Sequence, residues 1–427
     1  MAAHRVVIVG AGPAGLATAR GYREAGGESA VTLIGAEPHL PYRRPPLTKE
    51  FLRGELERTE LALEQASWFA ERSVELRLGT QVVEIDPEAG EVRLADGQAV
   101  AADACVLATG SRPGRLPVPG ADHEDVLEMR LLSDSERLVE RAQGASCGVV
   151  VGSGFIGCEV AASLAMRGLE VTLVSEEPVP QAARLGHHAG ERIASWLRDG
   201  GVTLILEAEV EAIEDARRVQ VAGRPALDAD VVLLATGAVP NGELAGSIGI
   251  ALHDGAVPVD ASMRSAGGFL RAAGDVARAF NRCAGRPLRV EHWGDALAQG
   301  LLAGRALAGE DASWDEVPGF WSTIGTRTLK HAAWGDGFDE DRLVEYAGGA
   351  FTVWYVRDGV AVGVLTHERD EDYERGRDGA GPRPAGAGRD PCPRRAAADR
   401  RLPACARRAA RSRAGRLRGR PRARSLP

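Results

Sequence analysis

Two loops of the chain share one spacing of glycines. The stretch "VVIVGAGPAGLATA" sets Gly10, Gly12 and Gly15 as G-x-G-x-x-G, and "VVVGSGFIGCEVAA" repeats it with Gly152, Gly154 and Gly157. An apolar, strand-like run precedes each loop, and a helical pattern with small residues near its start follows. That context suits a dinucleotide: the first glycine allows a tight turn, the second lets backbone approach a pyrophosphate, and the third lets helix and strand pack closely. The phosphates then meet amides at a helix N-terminus, where the dipole favours negative charge. Roughly 20 residues past each loop stands a carboxylate placed to accept from ribose hydroxyls, Glu37 after "AVTLIG" and Glu176 after "EVTLVS". Glu176 has Glu177 beside it and no arginine before Arg184, which favours a ribose without a 2′-phosphate and hence NAD over NADP.

A third candidate is Lys49, in "LPYRRPPLTKE". Only Lys330 shares its type; the other fifty of the 52 basic residues are arginine. A lysine kept where arginine is the rule suits a site that needs a compact point charge rather than a planar fork. Pro41, Pro45 and Pro46 stiffen the loop that carries it.

The elements that position these residues are duplicated. A second echo, "DACVLATGSRPG" from Asp103 and "DVVLLATGAVPN" from Asp230, closes each copy of a unit that opens with a glycine loop. After Asn241 the pattern returns to short strands and turns. The stretch "GGFLRAAGDVARAF" reads as a strand ending at Gly274-Asp275 and then a helix start, where Asp275 either accepts from a polyol hydroxyl or caps the helix. From Phe320, "FTVWYVRDGVAVGVLT" holds two alternating runs joined at Asp358-Gly359, a hairpin signal that implies a third, smaller α+β domain. The expected fold class is therefore α/β, with two Rossmann-like dinucleotide-binding domains and a small α+β C-terminal domain.

Composition is that of a globular chain, 44% hydrophobic and 26% charged, and 427 residues suggest two or three domains. No run of eighteen apolar residues calls for a membrane span, and a strand pattern within five residues of the start leaves no room for a signal peptide. Six cysteines occur without C-x-x-C or metal-ligand spacing, and read as reduced, mostly buried groups of a cytoplasmic protein with no metal site. The net charge of −8 conceals two populations: residues 379–427 hold fifteen arginines against two aspartates, +13, leaving −21 for residues 1–378. With three leucines, seven prolines and no Val, Ile, Phe, Tyr or Trp, this tail reads as disordered.

Together, "VVIVGAGPAG", "EPHLPYRRPPLTKEFLRGE", "ATGSRP", "VVVGSGFIGCEVAASLA", "LLATGAVPN", "AAGDVA", "RVEHWGDALAQG" and "VPGFWS" make residues 1 to about 378 similar to the FAD-dependent, NAD(P)H-linked ferredoxin reductases. These are glutathione-reductase-like flavoproteins without a redox-active disulfide, related to rubredoxin and putidaredoxin reductases, that feed Rieske oxygenases or haem monooxygenases. The resemblance implies a discontinuous FAD domain (1–112 and 241–317), a NAD domain (113–240), a C-terminal reductase domain (318–378) and a 2Fe–2S ferredoxin as partner of a monomer or homodimer. FAD would be held by Gly10, Gly12, Pro13, Ala14, Gly15, Glu37, Lys49, Val82, Arg130, Asp275 and Trp293. NAD would be held by Gly152, Gly154, Phe155, Ile156, Gly157, Glu159 and Glu176, with Gly237 nearby. Lys49, Glu159 and Trp293 would orient and polarise the redox centre.

The chain departs from that pattern where Ala36 and Ser175, not acids, directly follow the two strands, and in its tail, whose composition matches a GC-rich gene translated out of frame. Thiol relay needs cysteines beside the flavin, and residues 40–53 contain none, which points to direct transfer to an acceptor. Arg43, Arg44, Arg53, Arg289, Arg327 and Lys330 are the docking candidates for an acidic ferredoxin. Competing readings are an NADH oxidase or diaphorase, an apoptosis-inducing-factor-like flavoprotein, and a nucleic-acid binder acting through the tail.

Overall fold

The computed structural model describes residues 5–379. Buried β-branched runs build two parallel sheets, one beneath each glycine loop. Across the first lie Leu270–Ala272, Ala104–Leu107, Arg5–Val9, Ala30–Gly35 and Val74–Leu78, each neighbouring pair parallel. The second runs Thr203–Ile205, Glu170–Val174, Cys147–Val151, Val231–Leu234, again all parallel. Each glycine loop leaves an inner strand and enters a helix, Pro13–Glu24 in the first unit and Phe155–Met166 in the second. Duplication extends further than the glycines. A three-stranded antiparallel meander (Val82–Asp86, Glu91–Leu94, Ala99–Ala101) has its counterpart in Val210–Glu214, Arg218–Val221 and Leu227–Asp228. The segments that follow the two "ATG" echoes meet as antiparallel strands, Ser111–Pro113 against Ala238–Pro240. The expected doubled α/β architecture is what the chain forms.

One expectation fails. No helix starts after Gly274-Asp275; the strand Ala277–Asn281 does, pairing with Val257–Val259 and Arg286–Arg289. Its sequence, Ala-Arg-Ala-Phe-Asn, alternates buried with more exposed positions, and that period of two outweighs the turn signal before it. The helix comes later, at Trp293–Leu307, and packs backbone-to-backbone on Pro13–Glu24. A Cβ at Gly21, Gly300 or Gly304 would overlap the carbonyl of Leu301, Ala14 or Thr18 respectively. This close approach holds the Trp293 end of the helix beside the first glycine loop.

The C-terminal portion is a five-stranded antiparallel sheet, in the order Gly319–Ile324, Arg327–Ala333, Val360–His367, Phe351–Arg357, Glu340–Glu345, with the helix Asp370–Gly379 packed on it. The hairpin turns at Asp358-Gly359, both at positive φ (49° and 76°), as the aspartate-glycine pair foretells. Apart from Gly379 the basic tail lies outside the described residues. Cys105, Cys147 and Cys158 are free thiols, whereas Cys283 is disulfide-bonded, so the reduced reading does not hold at that position. Among the described residues no helix is long and apolar enough to cross a membrane.

Where the Trp293–Leu307 helix meets the C-terminal sheet, Asp295 is buried, with Oδ2 accepting from the Gly319 amide at 3.3 Å. Burial, reinforced by Glu316 and Asp275 against the pull of that amide and Arg377, pushes its carboxyl up to about 7. The packed form therefore keeps a proton that the unfolded chain has already released, and stability falls as pH rises from about 4 to about 7. We expect Asp295→Asn, measured by urea unfolding, to gain on the wild type by on the order of 2–4 kcal/mol between about pH 4 and about pH 8. Parallel pH profiles for the two proteins would show that Asp295 packs as an ordinary carboxylate.

Candidate active site

The first glycine loop opens onto a cavity of about 830 Å³. Gly10 sits at φ +112°, where a Cβ would overlap the Ala108 carbonyl, and a Cβ on Gly15 would overlap the carbonyl of Gly10. Gly12 differs: a Cβ there meets no protein atom within 4 Å, so its side of the loop is open. Gly12 also caps the Pro13–Glu24 helix, with Pro13 at its first turn, directing the helix N-terminus into the cavity wall. The second loop has the same build, with Gly152 at φ +102° and a Cβ on Gly157 overlapping the Gly152 carbonyl.

Around the cavity the chain gathers most of the expected residues: Gly10, Gly12, Pro13, Ala14, Glu37, Lys49, Val82, Arg130, Asp275 and Trp293, together with Ile156 and Glu159 from the second unit. Gly15 packs beneath the loop. Glu37 is held by two donors, the Tyr42 hydroxyl at 2.6 Å and Arg44 Nη2 at 2.9 Å, and Arg44 ties the same corner to the Arg130 carbonyl at 2.6 Å. Asp275 accepts from Arg130 Nη2 at 2.6 Å and from the Ser111 hydroxyl at 2.9 Å. It is thus an ion-pair partner on the wall, not a helix cap.

Lys49 ends the 3-10 turn Pro45–Thr48 and is 6% exposed. Its Nζ donates to Glu159 Oε2 at 2.7 Å and to Thr48 Oγ1 at 3.2 Å, while Thr48 Oγ1 donates to the same Oε2 at 2.5 Å. The other oxygen, Oε1, accepts from Ser322 Oγ at 2.7 Å and the Thr323 amide at 3.3 Å. An ammonium has three donors, so one of them remains for the cavity that Lys49 lines. Nearby, Phe320 lies between His292, at 4.7 Å between ring centroids, and His331, at 4.8 Å. Burial, with Arg184 close by, pushes His292 down to about 4 and His331 to about 3, so both imidazoles are neutral at neutral pH.

Thr48, Tyr42, Ser111, His292, Ser322 and Thr323 escaped the sequence reading. All but Thr323 stood inside the stretches that carry the family resemblance, but as residue types they carried no signal of their own. Gly152, Gly154, Phe155, Gly157, Glu176 and Gly237 do not line this cavity. Glu176 is exposed at the end of its strand; the carboxylate turned toward the second loop is Glu177, which accepts from Ser153 Oγ at 3.1 Å and the Gln181 and Ala183 amides at 3.1 and 2.9 Å. The docking candidates fare worse. Five of the six pair with a carboxylate: Arg44 with Glu37, Arg53 with Glu55, Arg289 with Glu291, Arg327 with Asp199 and Lys330 with Asp370.

Residues 4–300 match the family model described as pyridine nucleotide-disulphide oxidoreductase. Rhodocoxin reductase of Rhodococcus erythropolis is 35% identical over 74% of this chain and 75% of its own length. The ferredoxin–NAD(+) reductase subunit of a benzene 1,2-dioxygenase system from Pseudomonas putida is 31% identical over 87% and 91%. A solved ferredoxin reductase from Rhodopseudomonas palustris superposes with a TM-score of 0.84 at 31% identity, covering 88% of this chain and 93% of that one.

The buried pair yields a stability prediction. Glu159→Leu strands an ammonium in a dry site and is expected to cost about 3–5 kcal/mol in urea unfolding. Adding Lys49→Met removes the orphaned charge, so the double variant should recover at least about half of that loss. Additive losses would show that the two charges do not depend on one another.

Proposed function

Because the chain belongs to the pyridine nucleotide-disulphide oxidoreductase family, we propose that it is a flavoprotein ferredoxin reductase, passing electrons from NADH through FAD to a 2Fe–2S ferredoxin that serves an oxygenase. The observation that carries this reading is the cavity itself. It runs from a glycine loop at a helix N-terminus to a buried Lys49–Glu159 pair, and no cysteine lines it among the described residues.

These residues fit FAD. The open side of Gly12 and the helix N-terminus at Pro13 and Ala14 suit the pyrophosphate, and Glu37 suits the adenosine ribose. Asp275, held by Arg130, offers an acceptor for the polyol chain; Val82, Lys49 and Trp293 border the remaining length. Bound there, FAD would supply the conversion of one hydride into two single-electron deliveries. Lys49 would place a fixed positive charge against the ring system, and Glu159 would hold that ammonium in place. The neutral His292 imidazole in the wall, with Phe320 packed against it, would add no competing charge. The second loop, Gly152 to Gly157, with Phe155, Ile156, Glu176 and Gly237, would bind NADH, and the carboxylates of Glu176 and Glu177 would repel the extra phosphate of NADPH. On this reading the chain divides into 1–112 with 241–317, 113–240 and 318–378, a division that the two parallel sheets and the C-terminal sheet support.

Anaerobic titration tests the whole. The purified protein should show a flavin absorbance band that about one equivalent of NADH bleaches, and NADPH should not do so comparably. A colourless protein, or oxygen consumption that outpaces ferredoxin reduction, would overturn the assignment. Gly12→Val tests the cradle separately: since the position is open, the apoprotein should melt as the wild type does while FAD affinity drops at least about tenfold, roughly 1.4 kcal/mol. Undiminished affinity would place the pyrophosphate elsewhere.

A further inference from the structure

We propose that Ser322, on the C-terminal sheet, is a positioning residue of the redox site, acting through Glu159 on the charge that Lys49 presents to the cavity. The inference rests on the functional reading above. Glu159 accepts from four donors, two on each oxygen, and they come from two separate parts of the chain: Thr48 and Lys49 on Oε2, Ser322 and Thr323 on Oε1. An ionised carboxylate offers about four lone-pair sites, so this one is saturated. The clasp is dry: Ser322 is 1% exposed, and Thr48, Lys49 and Glu159 are each 6% exposed.

Saturation has two consequences. With every lone-pair site taken, the carboxylate has no vacant position to draw the Lys49 ammonium further onto itself. The donors on Oε1 also fix the plane of the group, which leaves Oε2 facing Lys49 and Thr48. Without the Ser322 hydroxyl, Oε1 keeps only the 3.3 Å contact from the Thr323 amide. The underbonded oxygen is then satisfied by the Lys49 ammonium bridging both oxygens, which draws that donor away from the cavity wall. That movement weakens the positive charge available to a ligand that gains electrons there. The C-terminal sheet therefore takes part in setting the potential of the site, although Ser322 does not line the cavity.

The test compares holoenzymes of the wild type, Ser322→Ala, Ser322→Thr and Thr352→Val. The last loosens the same sheet at a different place, since Thr352 Oγ1 donates to Asp372 at 2.8 Å. Three quantities are read: the midpoint potential of the bound FAD by dye-coupled titration, the pH profile of that potential, and the melting temperature of the apoprotein. Ser322→Ala should make two-electron reduction about tenfold less favourable, about 30 mV more negative, across the pH range read. Ser322→Thr should restore wild-type values. Thr352→Val should lower the melting temperature and leave the potential unmoved. If Ser322→Ala fails to hold flavin, Ser322→Cys, a weaker donor of similar size, is read in its place, with a smaller shift of the same sign. A Ser322→Ala potential and pH profile matching the wild type, with only the melting temperature lowered, would make Ser322 a purely structural hydroxyl. A wild type without NADH-reducible flavin would instead sink the functional reading on which the inference rests.

Discussion

The ion pair between Lys49 and Glu159 is the constraint on which the arrangement of the molecule turns. Both charges are removed from water, which costs several kcal/mol per ion unless geometry and further hydrogen bonds offset it. The chain meets that condition by bringing three separate pieces to one carboxylate. Lys49 and Thr48 arrive on a proline-stiffened turn, Glu159 on the helix after the second glycine loop, and Ser322 with Thr323 on the first strand of the C-terminal sheet. The turn is anchored on its other sides too: Ser163 Oγ donates to the Thr48 carbonyl, Ser135 Oγ to that of Leu47, and Arg167 Nη1 to that of Leu52. A loop carrying no sheet of its own is thereby held as firmly as core, and a lysine with four side-chain torsions is left one place to go.

Local chemistry was legible from the chain. Glycine loops, the twofold echo and the Asp358-Gly359 hairpin depend on residues within a few positions of one another, and each formed where the spacing put it. Lys49 stood out for a different reason, since a lone lysine in an arginine-rich chain is visible without any contact being known. Its partners were not. Glu159 is 110 residues away and Ser322 lies 163 beyond Glu159, and no local pattern sets that register. The error at Asp275 has the same origin. Glycine-aspartate resembles a helix start over a few residues, but sheet pairing by Ala277–Asn281 decided the segment, and the carboxylate was claimed by Arg130 from 145 positions away.

Surface charge was the least legible property, because pairing is invisible to a count. An excess of acid in the body suggested that a few exposed cations would guide an acidic partner. Five of those six pair with neighbouring carboxylates, which offset the field the cations would otherwise project.

The buried thiols complete the chemical logic. Cys158 directly precedes Glu159, so its neighbourhood is already negative; burial first, then the charges of Glu159 and Glu177, raise its pKa well above the ordinary thiol range. Cys105, inside the first sheet, is pushed up to about 12 by burial alone. A thiol needs its thiolate to attack or relay, and both of these groups are held protonated across the physiological range. The carboxylate that pairs with Lys49 adds to the burial that keeps the adjacent sulfur protonated. One acid thus favours electron transfer through the cavity and disfavours the thiol chemistry found elsewhere on this fold.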